Sequence, residues 1–266
     1  MKIPVNGIKM NYEISGQGNC LVLIHGFGDN LNMWYHQVPE LSKHYRVLTY
    51  DLRGFGQTEM SKGSYSMGLL ADDLYELLKI LEIKSACVLG YSMGGVIGLT
   101  LAIKHSEVAM GVIFANSAVG GRPSAEMKEQ RKIMMDMFQQ GNIEVISEMM
   151  ATGSFSPGFK EKHPAEFNRF KKIKKQNDPS AYFAIMEALS ARAVALPDLR
   201  EVKCPVLIIA GSNDNFTPLE LAESMKNSIK DAVLKVLSTG HAAAVEAPEE
   251  FNQTVLDFMR KLHWPQ

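Results

Sequence analysis

The chain has 266 residues, 46% hydrophobic and 21% charged, with a formal net charge of −1 at pH 7. This composition supports one large α/β domain, or two small ones, with a sizeable core. The near-neutral balance excludes a general electrostatic pull toward nucleic acid or an anionic membrane.

The first ten residues, MKIPVNGIKM, carry lysine without an apolar stretch behind it, and no run reaches membrane-spanning length. A cytoplasmic location is therefore expected. In chain order, IKMNYEIS (8–15) alternates with period two and predicts an antiparallel edge strand. CLVLIHG (20–26) and YRVLTYD (45–51) are β-rich, and LNMWYHQVPELSKH (31–44) between them reads as a helix. LLADDLYELLKILEI (69–83) places Leu70, Leu74, Leu77, Leu78 and Leu81 on one amphipathic face. Further strands are expected at 86–91, 110–116, 205–211 and 232–238, with helices at about 94–105, 218–229 and 248–262. Continuous Val/Ile/Leu runs suit strands buried on both faces, so a mostly parallel sheet flanked by helices is expected.

The interval 118–203 holds no convincing strand and is too long for a plain crossover loop. It carries helical patterns at AEMKEQRKIMMDMFQQ and SAYFAIMEALSAR, with turns at VGGRPS, SFSPGF and NDPS. A helical insertion, or cap, is expected there, interrupting a core domain of 1–117 and 204–266. Seven of the sixteen methionines fall in it (Met127, Met134, Met135, Met137, Met149, Met150 and Met186). They suit the packing of small helices and an adaptable apolar roof over a substrate pocket equally well. The basic run RFKKIKKQN (169–177) reads as a solvated helix face. Cys20, Cys87 and Cys204 each sit near the start of an apolar run, without metal-type or CxxC spacing, and read as small buried hydrophobes.

GYSMG (90–94) matches G-x-S-x-G between a strand and a helix. Such a turn must be tight enough to expose the Ser92 hydroxyl, with Gly90 and Gly94 avoiding backbone clashes. A serine hydroxyl needs a base to take its proton. Among seven histidines, His241 follows the last strand and precedes a Pro248 helix start, whereas His36, His44, His105, His163 and His263 lie in helical or turn contexts. The base needs an orienting carboxylate. Asp214 ends the penultimate strand; Asp51 reads instead as an ion-pair partner of Arg53 around the Gly54–Gly56 turn. An oxyanion site needs two backbone N–H groups, expected from Met93 and from Phe27 in the HGFG loop, which His25 braces. GFGDNL lacks the third glycine of a dinucleotide fingerprint. No metal or organic cofactor is implied, because side chains, backbone N–H groups and water complete the chemistry.

HGFG, DLRGFGQT, GYSMGG, GSNDNFTP and GHAAAVEAPEEF stand in the order and spacing of the α/β-hydrolase superfamily, which the chain resembles from about residue 3 to 262. The resemblance implies an eight-stranded, mostly parallel sheet with a helical cap after strand 6. It puts Ser92, Asp214 and His241 on the family's nucleophile, acid and base, in its Ser…Asp…His order. Phe27 and Met93 fall on its oxyanion donors. Dehalogenase and epoxide-hydrolase branches carry aspartate at the nucleophile, which Ser92 argues against. Meta-cleavage carbon–carbon hydrolases usually carry Asn before the serine and Trp after the histidine, where this chain has Tyr91 and Ala242. Enol-lactonases and small carboxylesterases are the more similar branches, and the retained HG motif favours the latter.

The expected function is serine-dependent hydrolysis of a small carboxylic ester or lactone through an acyl-enzyme. The alternatives are carbon–carbon hydrolysis or perhydrolysis on the same triad, and a slow-turnover ligand receptor. Candidate pocket residues are Tyr91, Trp34, Met134, Phe138, Phe216 and Ala242. The expected partner is a small acyl ester or lactone, with no nucleic acid and no membrane.

Overall fold

The continuous apolar runs become β3 (Cys20–Ile24), β4 (Arg46–Tyr50), β5 (Ala86–Tyr91), β6 (Ala109–Ala115), β7 (Val206–Gly211) and β8 (Val233–Leu237) in a computed structural model. It describes residues 1–63, 65–119, 125–190 and 196–264, without the side chains of 125–128, 130–131, 187–190 and 196–198. These strands pair in parallel, whereas β2 (Ile8–Ser15) runs antiparallel to both β4 and β1 (Lys2–Val5). One eight-stranded sheet results, in the order β1-β2-β4-β3-β5-β6-β7-β8. IKMNYEIS is antiparallel as expected but is not the edge. KIPV pairs outside it, and four residues are too few to display a period.

The core helices are α1 (Gln37–Leu41), α2 (Met67–Ile80) and α3 (Met93–Lys104). Between β6 and β7 lie the cap helices α4 (Ala125–Gln140), α5 (Ile143–Ser154), α6 (Phe159–Lys162), α7 (Pro164–Lys174) and α8 (Pro179–Ser190). The chain ends on α9 (Leu219–Ser228), α10 (Ala243–Glu246) and α11 (Pro248–Met259). Residues 120–124 of the expected VGGRPS turn, residues 191–192 of the last cap pattern and the side chain of Met127 lie outside the described residues.

Successive strand residues face opposite sides of the sheet. Val22, Ile24, Leu48 and Val88 pack with Leu70, Leu74 and Leu77 of α2. Leu21, Leu23, Val47 and Leu89 pack on the other face with Leu41 of α1 and with Phe251, Val255 and Met259 of α11. Helix α2 starts at Met67 because the Ser66 hydroxyl accepts the Leu69 N–H at 3.0 Å. The helix expected over 31–44 is instead a 3₁₀ turn at Leu31–Trp34 followed by the short α1. Pro39 has no N–H to offer the Tyr35 carbonyl, so the helix cannot extend back across it and begins at Gln37, with Pro39 in its first turn.

Two charged groups also differ from expectation. Asp51 does not pair with Arg53. Its carboxylate accepts from Asn11 Nδ2 and the Leu31 and Gln57 N–H groups, all at 2.8 Å, while Arg53 makes a buried fork to Asp73 at 2.6 and 2.8 Å. Lys174, in the basic run read as solvated, is buried against Asp29 at 2.6 Å. Lys171 does lie toward solvent and pairs with Glu148 at 2.8 Å. All three cysteines are free, Cys20 and Cys87 buried and Cys204 half-buried.

Candidate active site

The loops that follow β3, β5, β6, β7 and β8 share one edge of the sheet, the carboxyl edge where open α/β sheets bind ligands. Ser92 leaves β5 with φ 52° and ψ −119°, a left-sided backbone that costs a non-glycine residue on the order of 1–3 kcal/mol. Neighbouring glycines permit the turn. A Cβ on Gly90 would land on the backbone of Gly94 and Gly95, and one on Gly94 on the carbonyls of Ile24 and His25. Serine at a helix N-cap ordinarily accepts an N–H of the first turn. The Ser92 side chain makes no such bond and instead meets His241 Nε2 at 2.9 Å.

His241 Nδ1 lies 2.8 Å from Asp214 Oδ2. A carboxylate only accepts, so Nδ1 donates and Nε2 is left as an acceptor for the serine hydroxyl. Asp214 is well supplied with donors. Oδ1 accepts the Phe216 and Thr217 N–H groups at 2.9 Å, and Oδ2 accepts the Thr217 hydroxyl at 2.6 Å and Asn116 Nδ2 at 3.1 Å. Burial opposes its ionisation, but the His241 hydrogen bond and charge, with the Thr217 donors, prevail and hold its pKa below the usual value.

Met93 is the first residue of α3, so its N–H has no carbonyl one helical turn back. Phe27 sits in the loop after β3. Its ring packs edge-on to Tyr182 at 5.3 Å and against Phe138 at 5.7 Å, joining α8 and α4 to this loop. His25 is buried beneath it, with Nδ1 2.8 Å from the Gly26 carbonyl and Nε2 accepting the Leu52 N–H at 2.9 Å. Burial drives its pKa down, against the opposing charges of Asp51 and Asp29.

Four of the six candidate pocket residues are tied to these loops. The rings of Tyr91 and Phe216 each lie 5.1 Å from that of His241, the first buried and the second half exposed. Ala242 follows His241 and donates its N–H to the Ser154 carbonyl at 2.7 Å. Phe138 meets Phe27 as above. Met134 is half-buried on α4, against the core cluster that includes Phe138 and Tyr182. Trp34 is a correction. It is fully buried among Leu21, Leu23 and Leu41, and the cleft of about 400 Å³ that it borders contains none of Ser92, Asp214 and His241. It ends the 3₁₀ turn Leu31–Trp34 and belongs to the apolar cluster that α1 and α11 form with one face of the sheet.

Residues 19–248 match the alpha/beta hydrolase fold family. The chain belongs to that family. It is 32% identical over 265 residues to the 3-oxoadipate enol-lactonase 2 of Acinetobacter baylyi, covering 98% of this chain and 97% of the relative. It is 26% identical to the 2-hydroxy-6-oxo-6-(2'-aminophenyl)hexa-2,4-dienoic acid hydrolase of Metapseudomonas resinovorans, covering 97% and 90%. The enol-lactonase structure from Burkholderia xenovorans LB400 superposes with a TM-score of 0.91 at 29% identity, covering 98% of this chain and 100% of that one. As an α/β-hydrolase the chain has the expected fold, with helices capping the sheet after β6, and the enol-lactonase and dienoic acid hydrolase relatives support hydrolase activity.

Two site residues of this α/β-hydrolase were not singled out from the sequence. Asn116, in the left-handed region at φ 48°, bridges Asp214 Oδ2 and the Gly240 carbonyl, both at 3.1 Å. An asparagine directly after a buried strand, in FANSAVG, was the available signal, since asparagine tolerates that backbone. Glu246 accepts the Gly240 N–H at 3.0 Å, the Ser156 N–H at 3.1 Å and the Ser156 hydroxyl, pinning the histidine loop to the cap. Its run of charges in VEAPEEF carried no distinguishing pattern.

Proposed function

We propose that this protein hydrolyses small carboxylic esters or lactones through an acyl-enzyme on Ser92. The observation that carries this reading is the continuous hydrogen-bond chain from Ser92 Oγ through His241 to Asp214, at 2.9 and 2.8 Å. Ser92 Oγ attacks the carbonyl carbon while His241 Nε2 takes the hydroxyl proton. Asp214 keeps the other ring proton in place and balances the imidazolium charge. The carbonyl oxygen, now negative, accepts from the Phe27 and Met93 N–H groups. His241 returns the proton to the leaving alkoxide, and water then repeats the sequence on the acyl-enzyme. Segment 118–203 acts as a cap over the site, with Phe138, Met134, Tyr91 and Phe216 giving an uncharged acyl group apolar surroundings. The likeness to enol-lactonases supports keeping cyclic esters in the substrate class.

The test is a panel of short, medium and long acyl p-nitrophenyl esters, several lactones and a 2-hydroxy-6-oxo-dienoic acid, run beside Ser92→Ala. The substitution should lower kcat on the order of 10⁶-fold. Turnover surviving near the wild-type rate refutes the assignment, and turnover of the dienoic acid alone moves it to carbon–carbon hydrolysis. Labelling of Ser92 by a fluorophosphonate with negligible turnover across the panel indicates a ligand receptor instead.

A further inference from the structure

Lys174 and Asp29 form an ion pair from which solvent is almost wholly excluded, their side chains 2% and 1% exposed, at the junction of α7 with the loop after β3. Burying two charges costs several kcal/mol per ion before their attraction is counted, and an apolar contact would join two elements without that cost. Cap residues around the pair hold the same loop. Asn177 Nδ2 donates to the Gly28 carbonyl at 2.8 Å, the Tyr182 hydroxyl is shared between the Lys174 carbonyl at 2.9 Å and the Gly28 carbonyl at 3.2 Å, and Asn30 Nδ2 donates to the Ile173 carbonyl at 3.2 Å.

On its other side Asp29 reaches the group of interest. Its N–H donates to the Gly26 carbonyl at 3.2 Å. Because His25 Nε2 accepts the Leu52 N–H, the neutral ring carries its proton on Nδ1 and donates it to that same carbonyl at 2.8 Å. Two donors thus fix the direction of the Gly26 carbonyl. The peptide is planar and trans, so the Phe27 N–H must point the opposite way.

We propose that the Lys174–Asp29 pair is the link through which the seated cap holds the Phe27 N–H in the direction that donates to the oxyanion, making cap seating and oxyanion competence a single event. Lys174 and Asp29 are then positioning residues, and the proposal rests on the hydrolase reading above. It gives the buried charge pair a use that packing alone would not need. It also explains why one lysine of a basic run is withdrawn from water while Lys171 pairs at the surface.

The test compares wild type, Lys174→Met, Asp29→Asn and the double variant by steady-state kinetics, thermal melting and amide hydrogen exchange over residues 25–31. In Lys174→Met, kcat should fall at least tenfold, within the roughly 10²–10³-fold cost of losing one oxyanion donor. KM should stay within about twofold, and exchange over 25–31 should accelerate. The double variant leaves no buried unpaired charge and should regain most of the melting temperature, while kcat stays low and the loop stays fast. It carries both readings if a single variant does not fold. Recovery of kcat in the double variant, or a fall in kcat without faster exchange over 25–31, overturns the proposal. If the wild-type protein turns over no ester or lactone, the hydrolase reading fails separately. Exchange over 25–31 left unchanged by breaking the pair then overturns the link on its own.

Discussion

Replacing Asp214 with Asn separates the charge of this carboxylate from its shape. Its two oxygens face different partners: Oδ1 accepts two backbone N–H groups at 2.9 Å, and Oδ2 accepts from the Thr217 hydroxyl, Asn116 and His241. An amide must put its NH₂ on one side or the other. Facing the backbone, it meets two donors that cannot turn away. Facing the other side, it meets a hydroxyl that can rotate, an imidazole that can move its proton and only one fixed donor, Asn116, so this orientation prevails. His241 then accepts at Nδ1 and carries its proton on Nε2, directed at Ser92, with no lone pair left for the hydroxyl proton. A wrong tautomer of this kind should lower kcat by about 10⁴-fold with KM nearly unchanged, a barrier increase of about 5.5 kcal/mol. The assay is steady-state hydrolysis of the best panel substrate, with Ser92→Ala as baseline. Asn116→Ala is the control, since it removes one donor to Oδ2 but leaves the charge and the tautomer. A hydrogen bond to a charged group is worth about 1.5–3 kcal/mol, and most of it is present before the transition state, so kcat should fall by no more than about tenfold. An Asp214→Asn protein within tenfold of wild type, or no worse than Asn116→Ala, refutes the tautomer reasoning.

The cysteines should be chemically silent. Burial pushes the thiols of Cys20 and Cys204 up to about 12 and about 11, and that of Cys87 well above its ordinary value, so almost no thiolate exists at pH 8. Ellman's reagent should titrate all three in guanidinium and none rapidly in the folded protein; one fast thiol in the native state contradicts this. Arg53→Met strands the Asp73 carboxylate, whose side chain is 2% exposed, and should lower unfolding free energy in urea by about 3–5 kcal/mol. Adding Asp73→Leu should recover most of that loss. A single variant costing under about 1 kcal/mol would mean that the pair is not effectively buried.

The parts of the molecule legible in the sequence are those where one local signal determines one outcome. Continuous apolar runs can satisfy only strands covered on both faces, and β3, β5, β6 and β7 follow them closely. Pro248 sits at the helix start expected of it. The Ser92 turn is legible for the same reason, because the glycines at 90 and 94 are explained by the backbone atoms a Cβ would strike. The misreadings have the opposite cause. Trp34 looked like a pocket aromatic because position along the chain does not say which face of the sheet a loop residue reaches. The proline at 39, which stands in the first turn of α1, is visible in the sequence, but where the 3₁₀ turn ahead of α1 places the ring is not. Asp51 and Arg53 are two residues apart and of opposite charge, yet each is satisfied by a distant group, Asn11 for one and Asp73 for the other.

Lys174 shows why the cap was the hardest region to read. On α7 it belongs to a run of lysines whose average property is solvation, and Lys171 and Lys175 do pair with Glu148 and Glu144 near the surface. A helix of 3.6 residues per turn rotates one of these positions toward the core. Which one depends on where α7 lands, and that landing is fixed by groups some 145 positions away in the chain, Asp29 above all. Comparable separations, 149 and 154 positions, lie between Asn177 and Tyr182 and the Gly28 carbonyl they reach. Polar groups left unpaired when buried are costly, so the cap has few seating positions that pair Lys174 with Asp29 and Asn177 with the Gly28 carbonyl at once. The loop carrying Phe27 is the surface against which that seating is judged. The proposed link ties the seating of such a cap to the donor that the proposed acyl transfer requires.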